Sequence, residues 1–334
     1  MILTINAGSS SIKLAAFEPE TFERRASQTI DLAHDRDHDK ALERGVEALV
    51  ATLGPTTWTT VGHRIVHGGE FLGPRQIDNA LLAKLHALTP FAPLHQPHGL
   101  AGIMAACHHL PDATQVACFD TSFHRTIPDV ARHYALPREY HDLVAYGFHG
   151  LSYEYIASAL PAEVGPRVIV AHLGSGASMC AMRNRTSIAT TMGLTALDGL
   201  VMATRPGTLD PGVVLHMVER GMSAREIRDI LYQQSGLLGI SGTTGQMHEL
   251  LASETPRARL AVEMFVYRAT RAVGSLASAL GGLDAIVFTG GIGEHSAVIR
   301  DRILAGLHWI PGVQSLVIPT NEELVIARHA FAIR

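Results

Sequence analysis

The chain has 334 residues, of which 47% are apolar and 17% are charged, and its formal net charge is −4. This length favours two domains over a single core. The sequence has neither a Lys/Arg stripe nor a charge-free apolar run of about 18 residues, which argues against nucleic-acid and membrane partners. Three cysteines without CxxC spacing and an N-terminus without a basic leader are typical of a soluble cytoplasmic protein.

The first half of the chain predicts alternating strands and helices. Residues 1–17 are expected to form a hairpin whose apolar strands are joined by a Gly/Ser turn. Asp78 or Asn79 is the expected cap of a helix that ends near residue 88. The other predicted elements are helix 41–53, strand 61–66, helix 99–110, strand 115–119, and a short helix capped by Ser152 and stopped by Pro161.

The second half repeats this alternation and opens with a similar strand–turn–strand arrangement. Alternation of strands with helices predicts an α/β fold, and the repeated hairpin suggests two similar domains facing across a cleft. The long helix 257–280 should end at Gly281-Gly282 and contact the core through Leu260, Met264, Val273, Leu276 and Leu280. The other predicted elements are strands 167–173, 178–183, 285–289 and 316–319, and helices 223–233 and 321–331.

Two histidine-containing segments have explanations other than metal binding. The tract 34–39 (His-Asp-Arg-Asp-His-Asp) lacks the ligand spacing of a helical or finger site, so a solvated, charged connector is the favoured interpretation. His108 and His109 end a predicted helix, where they complement its dipole.

Glycine-rich turns with hydroxyl side chains follow three apolar strands, within residues 5–11, 171–178 and 288–294. Glycine and serine let backbone N–H groups converge without interference from Cβ atoms, as phosphate binding requires. One such turn is a weak signal, because ordinary hairpin turns have the same composition. Three of them favour a phosphoryl-transfer enzyme.

Arg64 lies in the predicted strand 61–66, where alternation puts Arg64 and Val66 on one face. A guanidinium beside an apolar valine suits a short carboxylic acid or an acyl phosphate, which has one charged and one apolar end. A surface arginine in an edge strand is the alternative. The Gly68-Gly69 pair that follows indicates a turn held close to another group.

Four more polar residues lie beside glycines or after strands. Asp120 follows a strand, where it could hold Mg²⁺, orient a nucleophile or simply cap the next turn. His149, between two glycines, could donate to a transferring phosphoryl group or pack in its loop. Arg205, in a Pro/Gly-rich loop, would neutralise phosphoryl charge. Glu294 follows the third glycine turn and resembles an acid that orients Mg²⁺.

Seven segments, taken in order, resemble the motifs of the acetate kinase family and cover both halves of the chain. An eighth, residues 317–324, extends the resemblance almost to the C-terminus. Together they are highly specific. The seven segments are residues 6–13, 62–70, 119–124, 146–152, 172–178, 192–200 and 288–294.

The resemblance implies the actin-like ATPase fold, a duplicated α/β fold that acetate kinases share with sugar kinases, heat-shock chaperones and actin. One domain would span residues 1–120, joined by the C-terminal helix 321–334, and the other would span 121–320 with the nucleotide-binding loops. The implied reaction is reversible, direct in-line transfer of the terminal phosphoryl group of ATP to acetate or propionate. It would use Mg²⁺ or Mn²⁺, with a small carboxylic acid and a nucleotide as partners, in a homodimer.

The resemblance also implies roles for individual residues. Catalysis would depend on Arg64, Asp120, His149 and Arg205, and the acid pocket would be formed by Val66, Leu94, Phe148 and Ala196. The metal ion would be held by Asn6 and Glu294. The nucleotide and its phosphates would be bound by Asn6, Ser9, Ser11, Lys13, His172, Gly174, Ser175, Gly176, Gly290, Gly291, Ile292 and Gly293. Because a carboxylate is already a nucleophile at neutral pH, such a site needs alignment and charge neutralisation rather than a strong base.

The chain departs from the family pattern in length and at the second phosphate loop. It is shorter than the family norm, with material missing after Phe17, around 246–258 and between residues 294 and 316. Ser175 stands where the family usually has asparagine, which weakens one phosphate contact.

Two further departures concern the substrates. Ala196 replaces a proline of the acid pocket, which should enlarge the pocket and admit propionate or a longer acid. Residues 244–248 replace the Ser-Asp-x-Arg stretch that contacts adenosine in the family. GTP or pyrophosphate as the donor, and a catalytically weak sensor of acyl phosphate or nucleotide, are therefore the alternatives to an ATP-dependent kinase.

Overall fold

The computed structural model describes residues 1–8, 11–32 and 38–333. Ser9, predicted to contact the donor phosphates, and most of the charged tract 34–39 lie outside these ranges. Within the described ranges, no helix has both the length and the apolar character that crossing a bilayer requires.

The chain divides into two compact units. Each unit contains one sheet. The predicted domain boundaries at residues 120 and 320 stay a prediction. Unit one comprises Met1–Arg125, Phe148–Tyr155 and Asn321–Arg334, and unit two comprises Thr126–Gly147 and Ile156–Thr320.

The strands, in chain order, are β1 (Ile2–Ala7), β2 (Ser11–Phe17), β3 (Arg24–Asp31), β4 (Thr60–Ile65), β5 (Arg75–Gln76), β6 (Thr114–Phe119), β7 (Arg167–Leu173), β8 (Ala177–Arg183), β9 (Thr186–Thr190), β10 (Ala285–Thr289) and β11 (Gln314–Val317). Eight of these eleven strands in the described ranges were predicted from the sequence, whereas β3, β5 and β9 were not.

The helices alternate with these strands. They are α1 (His38–Leu53), α2 (Asn79–Ala87), α3 (Gln96–His109), α4 (Asp129–Arg132), α5 (Gly150–Ala159), α6 (Pro211–Glu219), α7 (Ala224–Asp229), α8 (Gly236–Ser241), α9 (Met247–Ala252), α10 (Pro256–Leu280), α11 (Gly290–His295), α12 (Ala297–Ala305) and α13 (Glu322–Ile333).

The sheet of unit one has the strand order β3-β2-β1-β4-β6-β5. The opening hairpin is confirmed, because β1 and β2 pair antiparallel, and β4 and β6 then add in parallel with β1. Side chains of β1 alternate between two cores. Leu3 and Ile5 pack with α1 and α3, whereas Ile2 packs with Val325 and Ile326 of α13. Helices therefore cover both faces of this mixed sheet, whose parallel part is formed by β1, β4 and β6.

The sheet of unit two has the order β11-β10-β7-β8-β9. β7, β8 and β9 form an antiparallel meander, and β10 and β11 add in parallel with β7. Taken in the direction from β9 to β11, the strand order of unit two matches the strand order of unit one from β3 to β6. The predicted repetition of the opening hairpin is thus confirmed at the level of topology.

The long helix α10 begins and ends where the sequence predicts. The Thr255 side chain accepts a hydrogen bond from the backbone N–H of Ala258, and Gly281 ends the helix in the left-handed conformation. Val273, Leu276 and Leu280 are buried as expected. The prediction was wrong for Leu260, which is 52% exposed, and Met264 is only half-buried, because the buried face runs through 258, 261, 262 and 265 instead.

Two local predictions were also wrong. Ser152 does not cap α5, because the helix already begins at Gly150 and Ser152 is buried inside it. The third glycine segment is not an open turn, since Gly290 begins α11 directly after β10. Gly290 adopts a φ of 76°, which allows this abrupt change of direction.

Candidate functional site

Three predicted site residues of unit one come from neighbouring parallel strands. Asn6 is in β1, Arg64 is near the end of β4, and Asp120 directly follows β6. Because these strands run in parallel, their carboxyl ends meet at one edge of the sheet, where α/β proteins bind ligands. The predicted alternation of β4 is confirmed, since Ile65 is buried while Arg64 and Val66 are only partly buried.

The Arg64 guanidinium connects these residues. Its Nε donates to both oxygens of Asp120 at 3.2 Å, and its Nη2 donates to Oδ2 of Asp120 at 2.8 Å. Its Nη1 donates to the side-chain oxygen of Asn6 at 3.3 Å. A planar guanidinium held at several points by oxygens has a fixed orientation.

Glu322, which the sequence analysis did not select, belongs to the same cluster. It is the first residue of α13, and its Oε2 lies 3.6 Å from Nη1 of Arg64. Asn6, Asp120 and Glu322 thus surround one guanidinium. Two adjacent glutamates at the start of the predicted last helix were the available signal, but a first-turn acid is more often explained by the helix dipole.

Burial and the charge of Arg64 have opposite effects on the pKa of Asp120, which is only 1% exposed. Burial raises the pKa of its carboxyl group, Arg64 lowers it, and the negative charge of Glu322 raises it again, with a net pKa of about 6. Burial alone would lower the pKa of Arg64, but Asp120 and Glu322 hold it above its usual value. Arg64 therefore stays charged, while Asp120 titrates in an accessible range.

His149 lies in unit one in a strained backbone conformation. Its φ is 58°, in the left-handed region that residues other than glycine rarely adopt. The following residue, Gly150, donates its N–H to the carbonyl of Asp120 at 2.8 Å. A Cβ at Gly150 would lie 2.1 Å from that carbonyl oxygen, so only glycine permits the approach. The backbone next to His149 is thus held beside Asp120.

The predicted acid-pocket residues divide between the units. Phe148 is buried in unit one and meets the His67 ring edge-on, with 5.6 Å between ring centroids. Val66 and Leu94 are half-buried in the same unit. Ala196 is buried in unit two.

Unit two contains a cavity of about 700 Å³ beside two of the glycine segments. Those segments follow β7 and β10, which are parallel neighbours. Four predicted nucleotide-site residues line the cavity, namely Gly174, Ser175, Gly291 and Ile292. The other lining residues were not among the predicted site residues, although some belong to the altered stretch 244–248. They are Gly245, Gln246, Met247, His248, Leu251, His295 and Ser296.

The cavity lining contains two histidines but neither a carboxylate nor a Lys or Arg side chain. Its volume is within the range of small-molecule sites, and Met247, Leu251 and Ile292 supply apolar walls. This arrangement can hold a flat heterocyclic base next to glycine-rich backbone.

The remaining predicted phosphate contacts lie near these segments or in unit one. His172 pairs with Thr289 across β7 and β10, and the N–H of Gly174 donates to the carbonyl of Gly176. Gly293 is within α11. In unit one, Ser11 begins β2, and Lys13 is exposed opposite Asn6.

Glu294 has several contacts within unit two. Its Oε1 accepts hydrogen bonds from the Thr289 hydroxyl at 3.3 Å, from the N–H of Gly290 at 2.8 Å and from the N–H of Thr320 at 3.2 Å. This oxygen connects the end of β10 to the segment before α13. The predicted role of Glu294 at a metal ion stays a prediction.

Arg205, also in unit two, is a nearly buried cation. Only 9% of it is exposed, and its Nη1 donates to the carbonyl of Ala196 at 2.8 Å. Among the described residues, no carboxylate lies within 4.0 Å of its guanidinium, and burial lowers its pKa to about 10. A buried arginine without an acidic partner favours an external anion as its counter-charge.

A sequence model of the Acetokinase family matches residues 22–314. An acetate kinase of Rhodopseudomonas palustris (strain TIE-1) is 46% identical over 389 aligned residues, covering 99% of this chain and 98% of that protein. The aligned length exceeds the 334 residues of this chain, so that relative contains segments that this chain lacks.

Two solved structures are similar over nearly their whole length. A propionate kinase from Francisella tularensis subsp. tularensis SCHU S4 has a TM-score of 0.91 and 35% identity, with 100% of this chain and 99% of that chain covered. The acetate kinase of Porphyromonas gingivalis has a TM-score of 0.86 and 31% identity, with 99% of each chain covered. The predicted duplicated, actin-like α/β fold is confirmed.

Proposed function

The chain belongs to the acetate kinase family, and we propose that it reversibly transfers the terminal phosphoryl group of ATP to a short-chain carboxylic acid, with Mg²⁺, to form an acyl phosphate. The observation that carries this proposal is the Arg64 cluster of unit one, which combines a fixed guanidinium with oxygen ligands from Asn6, Asp120 and Glu322. Acetate and propionate are the expected acceptors, since the relatives are an acetate kinase and a propionate kinase.

Arg64 would bind the negative end of the acid. Asp120 accepts from Nε and Nη2 and so fixes the guanidinium plane, while the Nη1 hydrogen that is not donated to Asn6 and the second Nη2 hydrogen can bind substrate oxygens. Val66, Leu94 and Phe148 would contact the apolar end, and Ala196 stays a predicted pocket residue. Orienting the acid in this way makes its carboxylate oxygen the nucleophile without a general base.

The residues around Arg64 fit a divalent cation with a preference for oxygen ligands. Asn6, Asp120 and Glu322 offer one amide and two carboxyl groups, which are the ligands that Mg²⁺ or Mn²⁺ takes in proteins. When bound, the ion would neutralise charge on the phosphate oxygens. Glu294 also stays a proposed metal ligand. Its Oε2 would bind the ion, because its Oε1 already accepts three hydrogen bonds.

The donor would bind in the cavity of unit two. The apolar walls near Met247 and Ile292 would hold the base, and the glycine segments at 174–176 and 290–293 would contact the phosphates. His172 would add a polar contact, and Ser11 and Lys13 of unit one stay predicted phosphate contacts. Arg205 and His149 would stabilise charge on the transferring phosphoryl group.

We also propose that units one and two correspond to the two domains implied by the sequence resemblance. A homodimer in the cytoplasm is a further expectation. Size-exclusion chromatography with light scattering tests the oligomeric state directly, because it gives a mass that is compared with 35.9 kDa for one chain.

An acyl-hydroxamate assay tests the reaction with a matrix of acids and donors. Acetate, propionate and butyrate would each be combined with ATP, GTP and pyrophosphate in the presence of Mg²⁺. We expect turnover with ATP and at least one of the two shorter acids. Turnover with pyrophosphate alone would correct the donor, and absence of turnover in every combination would favour a sensor.

Two matched substitutions test the role of the guanidinium. Arg64→Lys keeps the charge but loses the bidentate geometry, so kcat/KM for the acid should fall by about 100-fold, the scale of one lost oxyanion contact. Arg75→Lys changes an exposed arginine of β5 in the same unit and should leave the rate unchanged. Equal rates for both variants would contradict the proposed site.

A further inference from the structure

Asp39, the last residue of the charged tract 34–39, lies beside His108 and His109 in the structure. Asp39 lies in the first turn of α1, whereas His108 and His109 end α3. Nδ1 of His108 is 3.2 Å from Oδ1 of Asp39, and Nε2 of His109 is 3.3 Å from the same oxygen. Residues 69 positions apart in the chain thus converge on one point.

The packing of unit one explains this convergence. Ala41 and Leu42 of α1 and Ala105 and Ala106 of α3 are buried in the same core. That contact brings the start of α1 to the end of α3. Asp39 precedes the buried pair of α1 by two residues, and the histidines follow the buried pair of α3 by two and three residues. The juxtaposition therefore depends on a buried helix contact and not on flexible surface side chains alone.

We propose that Asp39, His108 and His109 form a binding site for a Zn²⁺-class divalent cation, separate from the proposed catalytic Mg²⁺ site. One oxygen and two imidazole nitrogens are a common ligand set for Zn²⁺, whereas Mg²⁺ prefers oxygen alone. The three ligand atoms all lie within 4.8 Å of one another. Ligands about 2.0–2.1 Å from a tetrahedral ion are roughly 3.3 Å apart, which matches both distances to Asp39.

The site is open to solvent on one side. The side chain of His108 is 71% exposed and that of Asp39 is 46% exposed, whereas that of His109 is 20% exposed. Three protein ligands and an open position leave room for water as the fourth ligand. Since the ion would bind folded unit one and connect two helices, it should raise the thermal stability of the chain.

Isothermal titration of the metal-free, full-length protein with Zn²⁺ tests the site. Saturating Mg²⁺ would be present to occupy the proposed catalytic metal site. We expect one Zn²⁺ per chain, a higher Tm, and affinity reduced at least about tenfold in each of Asp39→Asn, His108→Ala and His109→Ala. Titration with Co²⁺ adds a second readout, because its visible spectrum reports tetrahedral nitrogen and oxygen ligands.

The matched control is His86→Ala. His86 is an exposed histidine in the last turn of α2, also in unit one, and it should leave the titration unchanged. The proposal is overturned if the wild-type protein binds no Zn²⁺ at 100-fold excess. It is equally overturned if the three ligand variants titrate like wild type, or if His86→Ala loses the same affinity. Circular dichroism of every variant separates loss of the site from loss of folding.

Discussion

Glu322 provides the sharpest test of the Arg64 cluster, because the chain supplies its own control. Glu322 and Glu323 are neighbours in the first turn of α13, and only Glu322 lies within 4.0 Å of Arg64. Replacing either one by glutamine removes one negative charge and nearly preserves the shape of the side chain. The two variants therefore differ mainly in their effect on the Arg64 cluster.

The structure gives the scale of the effect. Charges about 4 Å apart near a protein surface interact by roughly 4 kcal/mol, and both side chains here are mostly buried. If Asp120 and water compensate for half of this, about 2 kcal/mol remains, which corresponds to a factor of roughly 30. Because this energy holds the guanidinium in the orientation that binds the acid, Glu322→Gln should lower kcat/KM for the acid by at most about 30-fold. It should also raise the Mg²⁺ concentration needed for half-maximal rate, because a carboxylate ligand is lost.

Initial rates of acyl phosphate formation, measured over a Mg²⁺ series at saturating ATP, provide the assay. Glu323→Gln should change these rates less than threefold, because the electrostatic effect of Glu323 on Arg64 is weaker than those of Asp120 and Glu322. Thermal melts of both variants check that each is folded. The reasoning is refuted if Glu322→Gln keeps wild-type Mg²⁺ dependence, or if both variants lose activity equally.

Three other changes have defined outcomes. Burial raises the pKa of Asp120 to about 6, so its stabilising contribution is present below about pH 4 and lost as the pH rises through 6; urea unfolding at pH 4.5 and 7 should show wild-type stability falling relative to Asp120→Asn, by about 2 kcal/mol. Ala196→Pro should narrow the acid pocket and lower the propionate-to-acetate ratio of kcat/KM about fourfold, the value of one CH₂; an unchanged ratio would mean that residue 196 does not line the pocket. Gly150→Ala forces a Cβ against the carbonyl of Asp120 and should cost about 1–3 kcal/mol, which a lowered Tm would show and an unchanged Tm would contradict.

Local sequence signals predicted most of the elements because their causes are local. Asp78 caps α2 through a hydrogen bond to Leu81, and Gly281 ends α10 with a positive φ. The error at Leu260 has a different origin. A long helix with apolar residues on several sides does not reveal which side faces the sheet, and the packing of α10 against its own unit selects that side.

The candidate site was predictable as a set of residues, but not as a set of contacts. The strand ends and glycine segments contain Arg64, Asp120 and the residues that line the nucleotide cavity, since such positions serve ligand binding in α/β folds. No local pattern indicated that Glu322 would contact Arg64 across more than 250 residues of sequence. Likewise, the resemblance indicated His149 as a site residue, but it did not indicate that the backbone of His149 adopts a left-handed conformation.

The amino-acid sequence by itself determined the family, the alternation of strands and helices, and the chemical types of the residues at the strand ends. Those properties depend on hydrophobic period, turn residues and motifs, which act over a few neighbouring positions. Tertiary structure decided that the last helix brings an acid to Arg64, and that Asp39 meets His108 and His109. The physical reason is that such contacts form when distant segments bury apolar surface together. The free energy of that burial depends on the apolar area removed from water, so the local sequence does not indicate which polar groups will lie side by side.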